Sequence, residues 1–181
     1  MEKVIKKQKK ISSKTFTIWD TYIQFGDKEE TWEQISINAA DKSVMILPLT
    51  DTGKIIFIKK FCPASNTYET VLPGGKVEGK LSVIQSARKE LIEETSFRSK
   101  KFVSLGSLQI LPSYLCAETF GFIATDLHKD NSLKGDEIEV LKVMILSFKE
   151  ALRLIKSNKI NDARTIALIL KYFTFFHSRD V

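Results

Sequence analysis

The sequence predicts a mixed α/β (α+β) layered domain, and three of its features agree on this. Short strand-like apolar runs recur along most of the 181 residues, one capped helical segment interrupts them near the middle, and two helical segments close the chain. The length suits one domain with a substantial core. A composition of 43% hydrophobic and 28% charged residues belongs to a globular chain and argues against disorder over most of its length.

The elements follow in order. Residues 1–14 form a basic arm: the first ten hold five lysines against one glutamate, a local +4 of the total +6. Such an arm can touch nucleic acid or acidic lipid, but a solvated, frayed terminus is the simpler reading, so neither nucleic acid nor membrane is expected as a partner. Residues 15–42 carry strand-like runs at 15–19, 22–25 and 32–37, the last two separated by the polar stretch 26–30, which predicts an antiparallel meander. Stronger strands at 43–49 and 54–61 flank the turn residues Asp51-Thr52-Gly53, and a strand at 68–72 is stopped by Pro73-Gly74-Gly75.

The period then changes. Ser82 can cap a helix, Gln85 can complete the capping box, and Val83, Ala87, Leu91 and Glu94 follow at helical spacing, predicting a helix over 83–94. Strands return at 102–111, 119–124 and 140–146, and helices at 148–155 and 162–173 end the chain. Tyr172, Phe173, Phe175 and Phe176 are spaced to pack that last helix against the sheet or a partner subunit. No run is apolar enough to cross a bilayer, and the lysine-rich start has no hydrophobic segment behind it, so a cytoplasmic location is expected. Cys62 and Cys116 neither repeat nor lie near His128 and His177, which points to a reducing compartment and away from zinc.

The most informative stretch runs from Leu72 to Phe97. On a helix Glu90 and Glu94 share a face, with Glu93 beside them. Three carboxylates over one turn repel each other, and a divalent cation relieves the repulsion. Magnesium or manganese suits such an oxygen-rich site. An acidic turn alone also reads as an ordinary solvated face. The preceding Gly74-Gly75 shifts the balance, because glycines let the backbone approach an anion or a metal closely.

Residues 75–97 resemble the Nudix box, in which a glycine is followed by five residues, Glu, seven residues, Arg-Glu, an aliphatic residue, any residue, Glu-Glu, any residue, Gly and an aliphatic residue. Gly75, Glu90, Leu91 and the Glu93-Glu94 pair take matching places, whereas Leu81, Lys89 and Ser96 stand where the pattern has Glu, Arg and Gly. The resemblance implies a Nudix-type α/β/α sandwich with a mixed sheet over residues 43–181, preceded by the additional meander as a candidate dimerisation element. It implies Mg2+ or Mn2+ held by Glu90 and Glu94, with Gly74 completing the cradle and Glu93 orienting the site. Lys89 retains a positive charge but loses the planar fork of arginine. Ser96 strains the backbone if the turn there needs positive φ.

Beyond the box the chain is similar to the branch acting on ADP-ribose, NADH and diadenosine polyphosphates, notably at 55–61, 68–72, 111–114, 133–139 and 161–165. That likeness assigns Glu69, Glu137 and Glu139 to substrate or metal contacts, with one of the loop acids, Glu137 ahead of Glu139, activating water. The plain reading of Asp136, Glu137 and Glu139 is a solubilised loop after Gly135. Lys59 or Lys60 can meet a phosphate, Gly74 and Gly75 can line it, and Tyr114 can line the nucleoside pocket. The expected reaction is attack of water on an ADP-X diphosphate, giving AMP and X-phosphate. A catalytically impaired nucleotide-binding protein and a nucleoside triphosphate pyrophosphohydrolase are the alternatives. The branch also implies a homodimer, for which Trp19, Tyr22 and Trp32 suit an interface as well as they suit a monomer's interior.

Overall fold

A computed structural model describes residues 2–38, 41–130 and 142–176. Four strands build an N-terminal sheet: β1 (Lys3–Ser12), β2 (Phe16–Phe25), β3 (Lys28–Ile37) and the two-residue β8 (Leu115–Cys116), in the order β1-β2-β3-β8. The hairpin between β2 and β3 turns at Gly26, whose φ of +57° suits a residue without a Cβ. The predicted meander is therefore present, but its first two predicted strands, 15–19 and 22–25, are one, and β1 and β8 join the sheet.

The basic arm is not frayed. Residues 3–12 pair with β2 along their whole length, from Lys3 opposite Gln24 to Ser12 opposite Thr17, while remaining exposed. Acidic and aromatic groups across the sheet explain why so many lysines tolerate a strand. Lys10 Nζ contacts Glu33 and lies 3.4 Å from Asp20 Oδ1, and these bonds, Glu33 first, raise its pKa. Lys6 sits over the Tyr22 ring at 5.5 Å. β2 also runs unbroken through Asp20-Thr21, where the sequence suggests a gap. Thr21 is fully buried there and donates its hydroxyl to Gln34 Oε1 at 2.9 Å.

The main body holds two further sheets. β4 (Lys42–Pro48) runs parallel to β9 (Glu118–Lys129), which pairs antiparallel with β7 (Phe97–Gln109). β5 (Ile55–Cys62) lies between β10 (Lys142–Leu146) and β6 (Thr67–Val71), antiparallel to both. The helices are α1 (Val83–Thr95), α2 (Phe148–Lys156) and α3 (Ala163–Phe175). Alternation along β4 makes the layers. Val44 and Ile46 face Ala87 and Leu91 of α1, whereas Met45 and Leu47 face the opposite side, with Leu168 and Ile169 of α3. This is the expected α/β/α arrangement. Tyr172, Phe173 and Phe176 pack on the second of these clusters, with Phe173 stacked on Phe148, while Phe175 is exposed. No helix among the described residues is long and apolar enough to cross a membrane.

Both halves of the capping box at the start of α1 are formed by Ser82 and Gln85. At its end, Ser96 is left-handed, with φ 57° and ψ 32°, and donates its N–H to Ile92 O at 2.8 Å. This tight stop lets β7 begin immediately, at Phe97 and not at the predicted 102. A serine pays a conformational penalty there that glycine avoids. We expect Ser96→Gly to stabilise the fold by about 0.5–1 kcal/mol, seen as a raised urea midpoint at unchanged slope.

Candidate active site

The site begins where β6 ends. The Leu72 N–H donates to the buried Thr165 Oγ1 at 3.2 Å, and the chain then runs beside β4 through Pro73, Gly74 and Gly75. Pro73 O accepts from Ile46 N–H at 2.8 Å, and Gly75 exchanges both backbone bonds with Val44, at 2.8 and 3.1 Å. Both glycines sit where a Cβ would collide. A Cβ on Gly74 would lie 2.2 Å from Val44 O, and one on Gly75 would lie 2.3 Å from Glu90 Oε1. The second glycine thus leaves the notch in which the Glu90 carboxylate sits.

Helix α1 delivers the acids. Glu90 and Glu94, four residues apart, share its buried face, with exposures of 9% and 4%. Glu94 Oε2 accepts the Gly74 N–H at 2.6 Å, and Glu94 Oε1 lies 3.6 Å from Lys60 Nζ. Buried carboxylates are costly unless such partners compensate them. Glu93 lies toward the rim, 3.2 Å from Lys89 Nζ, which also meets Glu78 Oε2 at 3.3 Å.

A cavity of about 470 Å³ opens beside the turn, lined among others by Lys60, Glu69, Gly74, Gly75, Asp162 and Arg164. The two lysines at the end of β5 diverge, as alternate strand residues must. Lys60, paired opposite Glu69, faces the cavity; Lys59 is exposed, with its ammonium 5.9 Å from the centre of the Tyr68 ring. Glu69 Oε1 accepts from Thr67 Oγ1 at 2.9 Å. Tyr114 lines a different hollow of about 490 Å³ and stacks on Trp32 at 6.3 Å between ring centres. Glu137 and Glu139 lie outside the described residues.

Sequence reasoning gives no role to Glu78, Asp162 or Arg164. Asp162 caps α3, accepting the Thr165 N–H at 2.7 Å, and Arg164 Nη2 donates to Asp162 Oδ2 at 3.1 Å. The signal for the pair was the cap at the start of a helix whose first turn faces the glycine turn. Glu78 had no signal, because its partner is eleven residues away across a loop.

Among the described residues no three acids, histidines or cysteines already converge as a metal cage. The donor set nevertheless fits a hard divalent cation. Glu90 and Glu94 supply only oxygen ligands beside a notch that a Cβ would fill, and magnesium commonly uses one or two carboxylates together with water and phosphate oxygens.

The family model for the NUDIX domain matches residues 40–169. The chain is 27% identical to the ADP-ribose pyrophosphatase of Bacillus subtilis (strain 168) over 165 residues, covering 91% of this chain and 88% of that protein. It is 26% identical to the ADP compounds hydrolase NudE of Escherichia coli (strain K12) over 157 residues, covering 87% and 83%. Its fold matches the crystal structure of an ADP compounds hydrolase with a TM-score of 0.86, at 23% identity, over 99% of this chain and 96% of that one.

Because any Cβ at 75 meets the Glu90 carboxylate, Gly75→Ala should displace that acid. We expect about a 100-fold loss of any activity that depends on Glu90, with the far-ultraviolet circular dichroism of the fold retained.

Proposed function

Since the chain belongs to the NUDIX family, whose domain spans residues 40–169, we propose that it is a metal-dependent pyrophosphohydrolase of ADP-linked diphosphates, releasing AMP and a phosphorylated product. The observation that carries this reading is the buried Glu94, joined to the Gly74 N–H and to Lys60, both of which line the cavity. Support for the substrate class comes from the relatives named for ADP-ribose and ADP compounds, each matched over most of its length.

In this reading Glu90 and Glu94 hold Mg2+ or Mn2+, with the Gly74 backbone at the edge of the site and Glu93 orienting it. The cation, when bound, neutralises phosphate charge and lowers the pKa of water. Lys60 offers a further positive charge to the diphosphate, and Glu69, its cross-strand neighbour, lines the same wall. Lys59 points away from the cavity, which leaves Lys60 as the phosphate-facing member of the pair. Glu137 or Glu139 serves as the acid that activates water. The Tyr114–Trp32 stack, in a separate hollow, offers an aromatic face to the nucleoside end of the substrate. Exposed Val4, Ile5, Ile11 and Phe16 on the N-terminal sheet suit a second copy of the chain, giving a homodimer in a cytoplasmic setting.

Incubation with ADP-ribose, NADH, diadenosine triphosphate, dGTP and 8-oxo-dGTP, with and without chelator, tests the reading by product separation. An ADP-linked compound should lead in kcat/KM by at least about tenfold, and a triphosphate leading by that margin overturns the substrate class. Chelator should abolish cleavage. Binding of ADP compounds without cleavage across a panel of metals would instead identify an impaired, nucleotide-binding member of the family. Glu94→Gln should lower turnover by about 100-fold or more with little change in melting temperature, because it removes charge and keeps shape.

A further inference from the structure

The chain has lysine where an arginine fork would grip Glu93 on two sides, and a single ammonium holds a carboxylate with less directional constraint. The structure supplies a second anchor. Lys89 Nζ lies between Glu93 Oε2 at 3.2 Å and Glu78 Oε2 at 3.3 Å. Neighbouring charges do not offer a substitute. Arg88 lies over the Phe102 ring at 4.9 Å and so is turned toward β7, and Leu81, an exposed apolar residue, carries no charge.

An exposed ion pair usually contributes little, because two long side chains must be ordered to make it. The loop that bears Glu78 is ordered by other contacts. Val77 donates its N–H to Lys42 O at 3.0 Å and packs against the cluster containing Ala87 and Leu91. On the other side Gly79, at φ +55°, closes a turn in which Leu81 N–H returns to Glu78 O at 3.1 Å. Glu78 therefore meets Lys89 from a backbone already fixed on both flanks.

We propose that Glu78 is a positioning residue: by holding Lys89 it keeps Glu93 in place beside Glu90 and Glu94, and so strengthens divalent-cation binding at that face of α1. The proposal rests on the metal-dependent reading of the site but not on its substrate. Free Mn2+ measured by electron paramagnetic resonance, titrated into the whole chain, tests it without any turnover. Glu78→Gln should weaken Mn2+ binding about fivefold at an unchanged melting temperature. Lys89→Met should weaken it at least as much, and the double variant no further, because Glu78 acts through Lys89. Should Lys89→Met fail to fold, Lys89→Arg combined with Glu78→Gln decides the matter: the planar fork should restore most of the affinity, and no recovery overturns the proposal. Unaltered Mn2+ affinity in Glu78→Gln, or additive losses in the double variant, also overturns it. Mn2+ behaviour as expected with no ADP compound cleaved would sink the substrate reading alone, whereas no Mn2+ binding by the unaltered chain would sink both.

Discussion

The Gly74 N–H and the Glu94 carboxylate meet at 2.6 Å, a contact that ties helix α1 directly to the glycine turn. The turn itself is bonded to β4 at Val44 and Ile46, so α1 is registered against the sheet through a polar bond as well as through Ala87 and Leu91. A side chain at Gly74 would collide with the Val44 carbonyl, whereas one at Gly75 would push the Glu90 carboxylate aside. The constraint is geometric before it is chemical: the turn runs too close to β4 for a Cβ at Gly74, and the bare Gly75 leaves the notch that the Glu90 carboxylate fills.

Charge then decides what the notch can do. Two carboxylates on a buried face would be unfavourable in an apolar core, and at Glu94 the structure offsets the cost with the Gly74 amide and the Lys60 ammonium. These are also the groups that border the cavity, so the same contacts that make the folded state tolerable aim positive charge at its interior. Thr165 extends this logic to α3. Its hydroxyl accepts the Leu72 N–H just before the turn, which ties the glycines to the start of a second helix.

Most of the layering is legible in the sequence because it depends on local pattern. The Ser82–Gln85 box marks the start of α1 within its own first turn, and the unbroken apolar run of β4 suits a strand buried on both faces. The lysine-rich start is misread because its compensation is non-local: Asp20 and Glu33 sit on other strands, and only pairing brings them to Lys10. β8 is two residues long and carries no periodicity at all. At the site, adjacent Lys59 and Lys60 must face opposite ways in any strand, yet nothing in the dipeptide says which faces inward. Tyr114 is readable as an exposed aromatic, but its stacking partner Trp32 lies on a distant strand. Ser96 is the reverse case, since its place in the motif already indicates a left-handed backbone, and the structure has one.

The strand that holds the glycine turn has a second edge, and its pairing there joins distant parts of the chain. Ser43 lies opposite Thr119 and Pro48 opposite Ala124 in a parallel ladder, so β4 cannot be completed until most of the intervening chain is in place. The β5–β6 hairpin and α1, by contrast, are local structures with short loops. Closing long loops costs chain entropy before its contacts are made, which makes such pairings late and slow. The surface against which the acidic helix is set therefore depends on the least local pairing in the chain. A change that slows the parallel pairing is expected to delay function without touching a single acid.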